Sequence, residues 1–84
     1  MNQPLGYLLE ILSAHTDNEA IGKKLYDKIS NKHYSTEGLF VRNLTAEEMD
    51  YLDKILTEAI DYSNQEQDYE RVRQLNEVYE LLTI

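Results

Sequence analysis

Residues 45–84 read TAEEMDYLDKILTEAIDYSNQEQDYERVRQLNEVYELLTI and contain the strongest helix signals in the chain. Thr45 and Glu48 have the spacing of a capping box, in which each side chain bonds the other residue's backbone N–H at a helix N-terminus. Apolar residues then recur every three or four positions, as on one face of a helix; they are Met49, Leu52, Leu56, Ala59 and Ile60. We therefore predict a helix over about residues 46–62.

A second helical pattern follows in the same segment. Its apolar residues step by three or four positions and are Val72, Leu75, Tyr79 and Leu82. We predict a polar break at Ser63-Asn64-Gln65 and a helix over about residues 66–82. Two helices of this length joined by so few residues fold back on each other as an antiparallel hairpin.

Two shorter helical patterns precede this hairpin. Pro4 suits a first helical turn, and leucines follow it at positions 5, 8, 9 and 12, which predicts a helix over about residues 4–15. Thr16 and Glu19 again have capping-box spacing, and a stripe follows them, which predicts a helix over about residues 18–31. The stripe consists of Ile21, Leu25 and Ile29.

Residues 33–44 are the irregular part of the pattern. Leu39-Phe40-Val41 has the composition of a short strand, but no second strand is predicted to pair with it, and a lone strand leaves its backbone groups unbonded. We therefore predict a loop in which Leu39, Phe40 or Val41 fills the core.

The predicted fold class is all-α, a small three- to four-helix bundle with a C-terminal antiparallel helical hairpin. Residues 1–84 are predicted to form a single helical domain, since 84 residues with 42% apolar content suffice for one small folded unit. A domain of this size has little room for a walled active-site cavity of ~300 Å³ or more. Size alone therefore favours binding over catalysis.

The charge is unevenly distributed along the chain. Eight Lys and Arg residues face sixteen Asp and Glu residues, so the net charge is −8. Residues 1–44 carry five acidic and five basic residues, whereas residues 45–84 carry eleven acidic and three basic residues. All of the net charge therefore lies on the predicted hairpin, which argues against nucleic acid or an anionic membrane as a direct ligand.

Four acidic residues of the hairpin are predicted to share one exposed face. They follow one another at helical spacing, with Lys54 among them, and are Glu47, Asp50, Glu58 and Asp61. One interpretation is a solvated face that keeps the protein soluble. The other is a surface that attracts a protein partner with a basic surface.

Seven tyrosines, one phenylalanine and no tryptophan make up the aromatic set. Tyrosine combines a large apolar ring with a polar tip, and is therefore enriched at protein interfaces. Tyr51, Tyr62 and Tyr69 lie on or beside the acidic hairpin. We predict that these three anchor a partner, the alternative being that they border a small core.

The sequence offers no pattern for a cofactor, a metal or catalysis. The chain has no cysteine, and its two histidines, His15 and His33, have no metal-ligand spacing. Its three glycines form no phosphate-binding loop. We therefore predict no cofactor, no metal site and no enzymatic activity.

The predicted function is that of a small acidic helical protein that binds another protein as a regulator, adaptor or inhibitor. Two alternatives stay open: a DNA mimic or anti-repressor that occupies the nucleic-acid site of a basic partner, and a structural module that binds a second copy of itself. No export signal and no membrane-length apolar run is evident in the sequence, so a cytoplasmic location is expected.

Overall fold

The computed structural model describes residues 2–17 and 19–83, and these form five helices. Their bounds are α1 Gln3–Ser13, α2 Ala20–Asn31, α3 Glu37–Arg42, α4 Ala46–Gln65 and α5 Tyr69–Leu82. No strand occurs within these ranges, which confirms the all-α fold class. None of the described helices is both long enough and apolar enough to cross a membrane.

The predicted capping box at the start of α4 is confirmed. Thr45 Oγ accepts a hydrogen bond from Glu48 N at 3.1 Å, and Glu48 Oε1 accepts one from Thr45 N at 2.9 Å. Two N–H groups that the first turn leaves without partners are thus satisfied, which fixes where the helix begins.

The break between α4 and α5 lies three residues later than predicted. α4 continues through Ser63-Asn64-Gln65, and residues 66–68 form the turn. There Asp68 N donates to Ser63 O at 2.9 Å and Gln67 N donates to Asn64 O at 3.0 Å, the two bonds of a Schellman motif. Gln67 has φ 60°, the left-handed conformation usually taken by glycine at this position. The prediction was wrong because no glycine marks the turn.

The predicted loop over residues 33–44 contains a short helix instead. The Thr36 side chain accepts a hydrogen bond from Leu39 N and so caps α3. Phe40 is fully buried and Val41 is nearly so, whereas Leu39 is 41% exposed. The prediction that this segment fills the core is therefore confirmed for two of the three residues, although they do so from a helix of only six residues.

The predicted capping box before α2 does not form. Glu19 occupies the N-cap position of α2 without a side-chain capping bond, and Thr16 Oγ donates instead to Ser13 O. The Glu19 carboxylate is engaged elsewhere, by His15 and Tyr51. Asn18, which precedes Glu19, lies outside the described residues.

All five helices contribute to one core. α1 packs against α2 and α5, α4 packs against α5, and the short α3 also packs on α5. Burial of each large apolar side chain contributes roughly 1.5–3 kcal/mol. The fully buried set is Leu5, Leu8, Leu12, Leu25, Ile29, Phe40, Leu52, Leu56, Leu75 and Val78.

Candidate protein-binding surface

The exposed face of α4 carries a row of acidic side chains that we call the acid strip. It consists of Glu47, Asp50, Glu58 and Asp61, with Lys54 among them, and all five residues are exposed. Leu52 and Leu56 lie on the opposite face of the same helix and are fully buried. The buried face fixes the rotation of α4 and thereby directs the acid strip to solvent.

Tyr62 and Tyr69 flank the turn between α4 and α5. Each is 64% exposed, which is a large exposure for an aromatic side chain. Tyr62 follows Glu58 by one helical turn and therefore borders the acid strip. Tyr69 is the first residue of α5, beyond the turn. The aromatic ring pairs among the described residues involve neither of them.

Tyr51 is held by the fold, unlike the other two predicted anchors. Its hydroxyl donates to Glu19 Oε1 at 3.1 Å, and His15 Nδ1 lies 3.1 Å from the same oxygen. The rings of His15 and Tyr51 meet edge to face, with centroids 6.1 Å apart. Burial, together with the Glu19 carboxylate, raises the pKa of Tyr51 to about 12. Tyr51 thus fastens α4 to the segment before α2 and shows only part of its ring to solvent.

The same contacts lower the pKa of Glu19 below its ordinary value. Hydrogen bonds to His15 and Tyr51 are the main cause, because both favour the charged carboxylate. Glu19 is exposed. A charged carboxylate therefore sits beside Tyr51, at the edge of the acid strip.

Gly22 makes this cluster possible. A Cβ atom at this position would lie 2.4 Å from His15 O and 3.0 Å from Tyr51 Oη. The absence of a side chain lets the start of the α1–α2 connection, at His15, pass directly over α2. From sequence, Gly22 is only a weak point in a helix, and the close approach that requires it becomes visible only in three dimensions.

A groove opens beside Tyr62, between α1 and the α4–α5 turn. It encloses about 400 Å³. Its walls come from residues that are far apart in sequence, namely Glu10, Ile11, Ala59, Tyr62, Ser63, Glu66, Asp68 and Arg71. The sequence pattern indicates Tyr62 but not the groove, since no local pattern brings Glu10 next to Arg71.

The acid strip gives the exposed face of α4 a net negative charge. Within the described ranges, no group of three or more His, Asp and Glu side chains is placed to hold a metal ion. The predicted partner-binding residues fall into three groups: the acid strip, Tyr51 held at its edge, and Tyr62 with Tyr69 exposed beside the turn.

This is a small all-α protein with one acidic, tyrosine-bordered face. Residues 1–83 match the family CsgA, described as minor curli fiber component A, and the chain belongs to this family. It is also 44% identical over 82 residues to a Bacillus subtilis (strain 168) protein described as a sigma-G-dependent sporulation-specific SASP protein. That alignment covers 98% of this chain and 99% of the relative. No solved structure matches the chain.

Proposed function

We propose that this chain is a non-enzymatic protein of sporulating cells that binds a basic protein partner through the acid strip, Tyr62 and Tyr69. The sporulation-specific relative aligns over nearly the whole chain, which supports a role in sporulating cells. The observation that supports the binding role is the 64% exposure of Tyr62 and Tyr69 next to a row of exposed carboxylates. Exposed tyrosines beside charge are typical of interface anchors.

Charge and anchors have separate parts in this proposal. The acid strip attracts and orients the partner, which raises the association rate and makes it sensitive to salt. Burial of the two tyrosine rings then slows dissociation. Binding of this kind regulates, recruits or inhibits the partner. We propose that the complex forms in the cytoplasm.

The name of the family refers to a fibre, and we do not extend that description to this chain. A fibre of stacked strands needs segments with unpaired strand edges. The described residues form helices, and their apolar faces are buried in one core. The exposed acid strip would also bring like charges together in a stack of identical chains.

The test is quantitative capture of partners from sporulating Bacillus subtilis lysate with the tagged chain. A variant without the strip charges (E47Q/D50N/E58Q/D61N) is expected to lose the basic proteins that the wild type retains. A matched control removes four acidic charges elsewhere (D17N/D53N/E77Q/E80Q) and is expected to retain them. Equal capture by both variants excludes the acid strip as the docking surface.

The second candidate function is DNA mimicry, which the carboxylate row on one helix face favours. It predicts that double-stranded DNA displaces the captured partner and that raised salt weakens the complex steeply. The self-association alternative predicts instead a dimer in sedimentation at micromolar concentration. These two measurements separate the three interpretations.

A further inference from the structure

The groove beside Tyr62 combines an apolar floor with an acidic rim. Ile11 of α1 and Ala59 of α4 provide aliphatic surface, and the Tyr62 ring adds an exposed aromatic wall. The rim carries three carboxylates and one guanidinium, from Glu10, Glu66, Asp68 and Arg71. The charge at the rim is therefore net negative.

Arg71 neutralises only part of this negative charge. Its guanidinium lies 2.7 Å from Glu10 Oε1 and 3.4 Å from Asp68 Oδ2. The Glu66 side chain forms no ion pair and no hydrogen bond within the described part of the chain. The last turn of α4, whose carbonyl groups carry partial negative charge, also has no basic residue. The groove lining therefore carries a net charge of −2.

The Ser63 side chain contributes a further polar group, a hydroxyl, to the groove. This residue lines the groove and is only 2% exposed, and its hydroxyl has no hydrogen-bond partner among the described residues. A serine inside a helix commonly bonds the carbonyl four residues earlier, but this one does not. A buried hydroxyl without a partner is costly unless a bound group uses it.

We propose that this groove seats an arginine side chain of the basic protein partner, an inference that rests on the proposed function. The arginine stem packs on Ile11 and Ala59, and the planar guanidinium stacks on Tyr62 while it donates to Glu66 and Ser63. Arg71 shows the same chemistry within the chain, since its guanidinium carbon lies 5.2 Å from the centre of the Tyr7 ring. Lysine, a point charge without a planar face, fits this set of groups less well.

The test uses the ¹⁵N-labelled full chain titrated at low salt with the tripeptide amide acetyl-Gly-Arg-Gly, followed by amide NMR. The signals of Ile11, Ala59 and Ser63 are expected to shift and to saturate. The matching lysine tripeptide is expected to bind about threefold more weakly, because it cannot stack or form a forked contact. Linear shifts without saturation, or equal binding of the two peptides, overturn the proposal.

Two variants with the same charge change test the position of the site. Glu66→Gln, in the exposed turn, is expected to weaken arginine binding about fivefold, whereas Asp53→Asn, at an exposed carboxylate outside both the groove and the acid strip, leaves it unchanged. Ser63→Ala, which removes only the unpartnered hydroxyl, is also expected to weaken it. Equal binding by all three variants assigns the arginine to another place and overturns the proposal.

The proposed function and the groove can fail separately. If the strip variant loses its partner but Glu66→Gln keeps it at full affinity, the docking surface stands and the groove assignment is wrong. If the arginine tripeptide saturates the groove but the strip variant captures the same proteins as the wild type, the acid strip is wrong and the groove stands.

Discussion

Lys28 Nζ lies 2.8 Å from Glu48 Oε1, and this ion pair joins α2 to the first turn of α4. Glu48 is only 1% exposed. The same lysine also donates to Asn43 O at 2.8 Å, and the same carboxylate oxygen accepts from Thr45 N. One side chain of α2 therefore holds both ends of the short connection between α3 and α4.

Replacement of this lysine should destabilise the fold well beyond an ordinary surface change. Lys28→Met leaves a buried carboxylate without its counter-charge, and we expect a loss of about 2–3 kcal/mol in the free energy of unfolding. Lys23→Met is the matched control on the same helix. Lys23 pairs with Asp27 at 3.3 Å, and both side chains are about half exposed, so its loss costs less than about 0.5 kcal/mol. Urea denaturation measures both values, and similar losses for both variants would contradict this account.

Glu48 should also make stability depend on pH. Burial alone raises its pKa, but the bonds from Lys28 and Thr45 outweigh burial and hold the pKa below its ordinary value. A carboxylate with a lowered folded pKa contributes stability that is fully present above about pH 4.3, the ordinary value for glutamate. That contribution is lost as the pH falls through the lower folded value.

The stability difference between the wild type and Glu48→Gln should therefore shrink as the pH is lowered from 6 to 3. Urea denaturation at a series of pH values checks this. The exposed neighbour variant Glu47→Gln carries the same charge change and is measured alongside as the control. A pH-independent difference between the wild type and Glu48→Gln would refute the link between this ion pair and acid stability.

Two glycines should respond to alanine in opposite directions. Gly22→Ala places a Cβ within 2.4 Å of His15 O, so the backbone has to shift, and we expect a loss of about 2 kcal/mol despite better helix propensity. A Cβ at Gly6 meets nothing within 4 Å, and Gly6→Ala should raise the melting temperature through a gain of about 0.5–1 kcal/mol. Thermal unfolding of both variants decides it, and stabilisation by both would show that the close approach at Gly22 is absent.

Gln67→Gly should stabilise the α4–α5 turn. Gln67 adopts φ 60°, a conformation that costs a residue with a side chain roughly 1–2 kcal/mol. Glycine avoids this cost but loses more chain entropy on folding, which offsets part of the gain. We expect a net gain of about 0.5–1 kcal/mol in the free energy of unfolding. Gln67→Ala keeps the Cβ atom and should show no such gain. A loss of stability in the glycine variant would mean that the glutamine side chain itself supports the turn.

The sequence predicted those features that depend on local periodicity. The start of α4 was predicted because Thr45 and Glu48 encode it directly, and the exposure of the acid strip followed from the helical period. The end of α4 was not predicted, because Gln67 adopts the left-handed conformation that glycine usually takes at this position. α3 was not predicted because six residues are too few to show a helical repeat of apolar residues. The groove beside Tyr62 depends on contacts such as that between Glu10 and Arg71, 61 positions apart, which no local pattern encodes.

The first helix of the chain is bonded to the last. Gln74 Nε2 donates to Gln3 Oε1 at 3.1 Å, and Arg71 reaches Glu10. During synthesis α1 emerges from the ribosome before α5, against which it packs. The core therefore cannot close until α5 has also emerged. A message truncated ahead of α5 would yield a chain whose leading leucines stay partly uncovered, and such a chain is a target for cellular proteases.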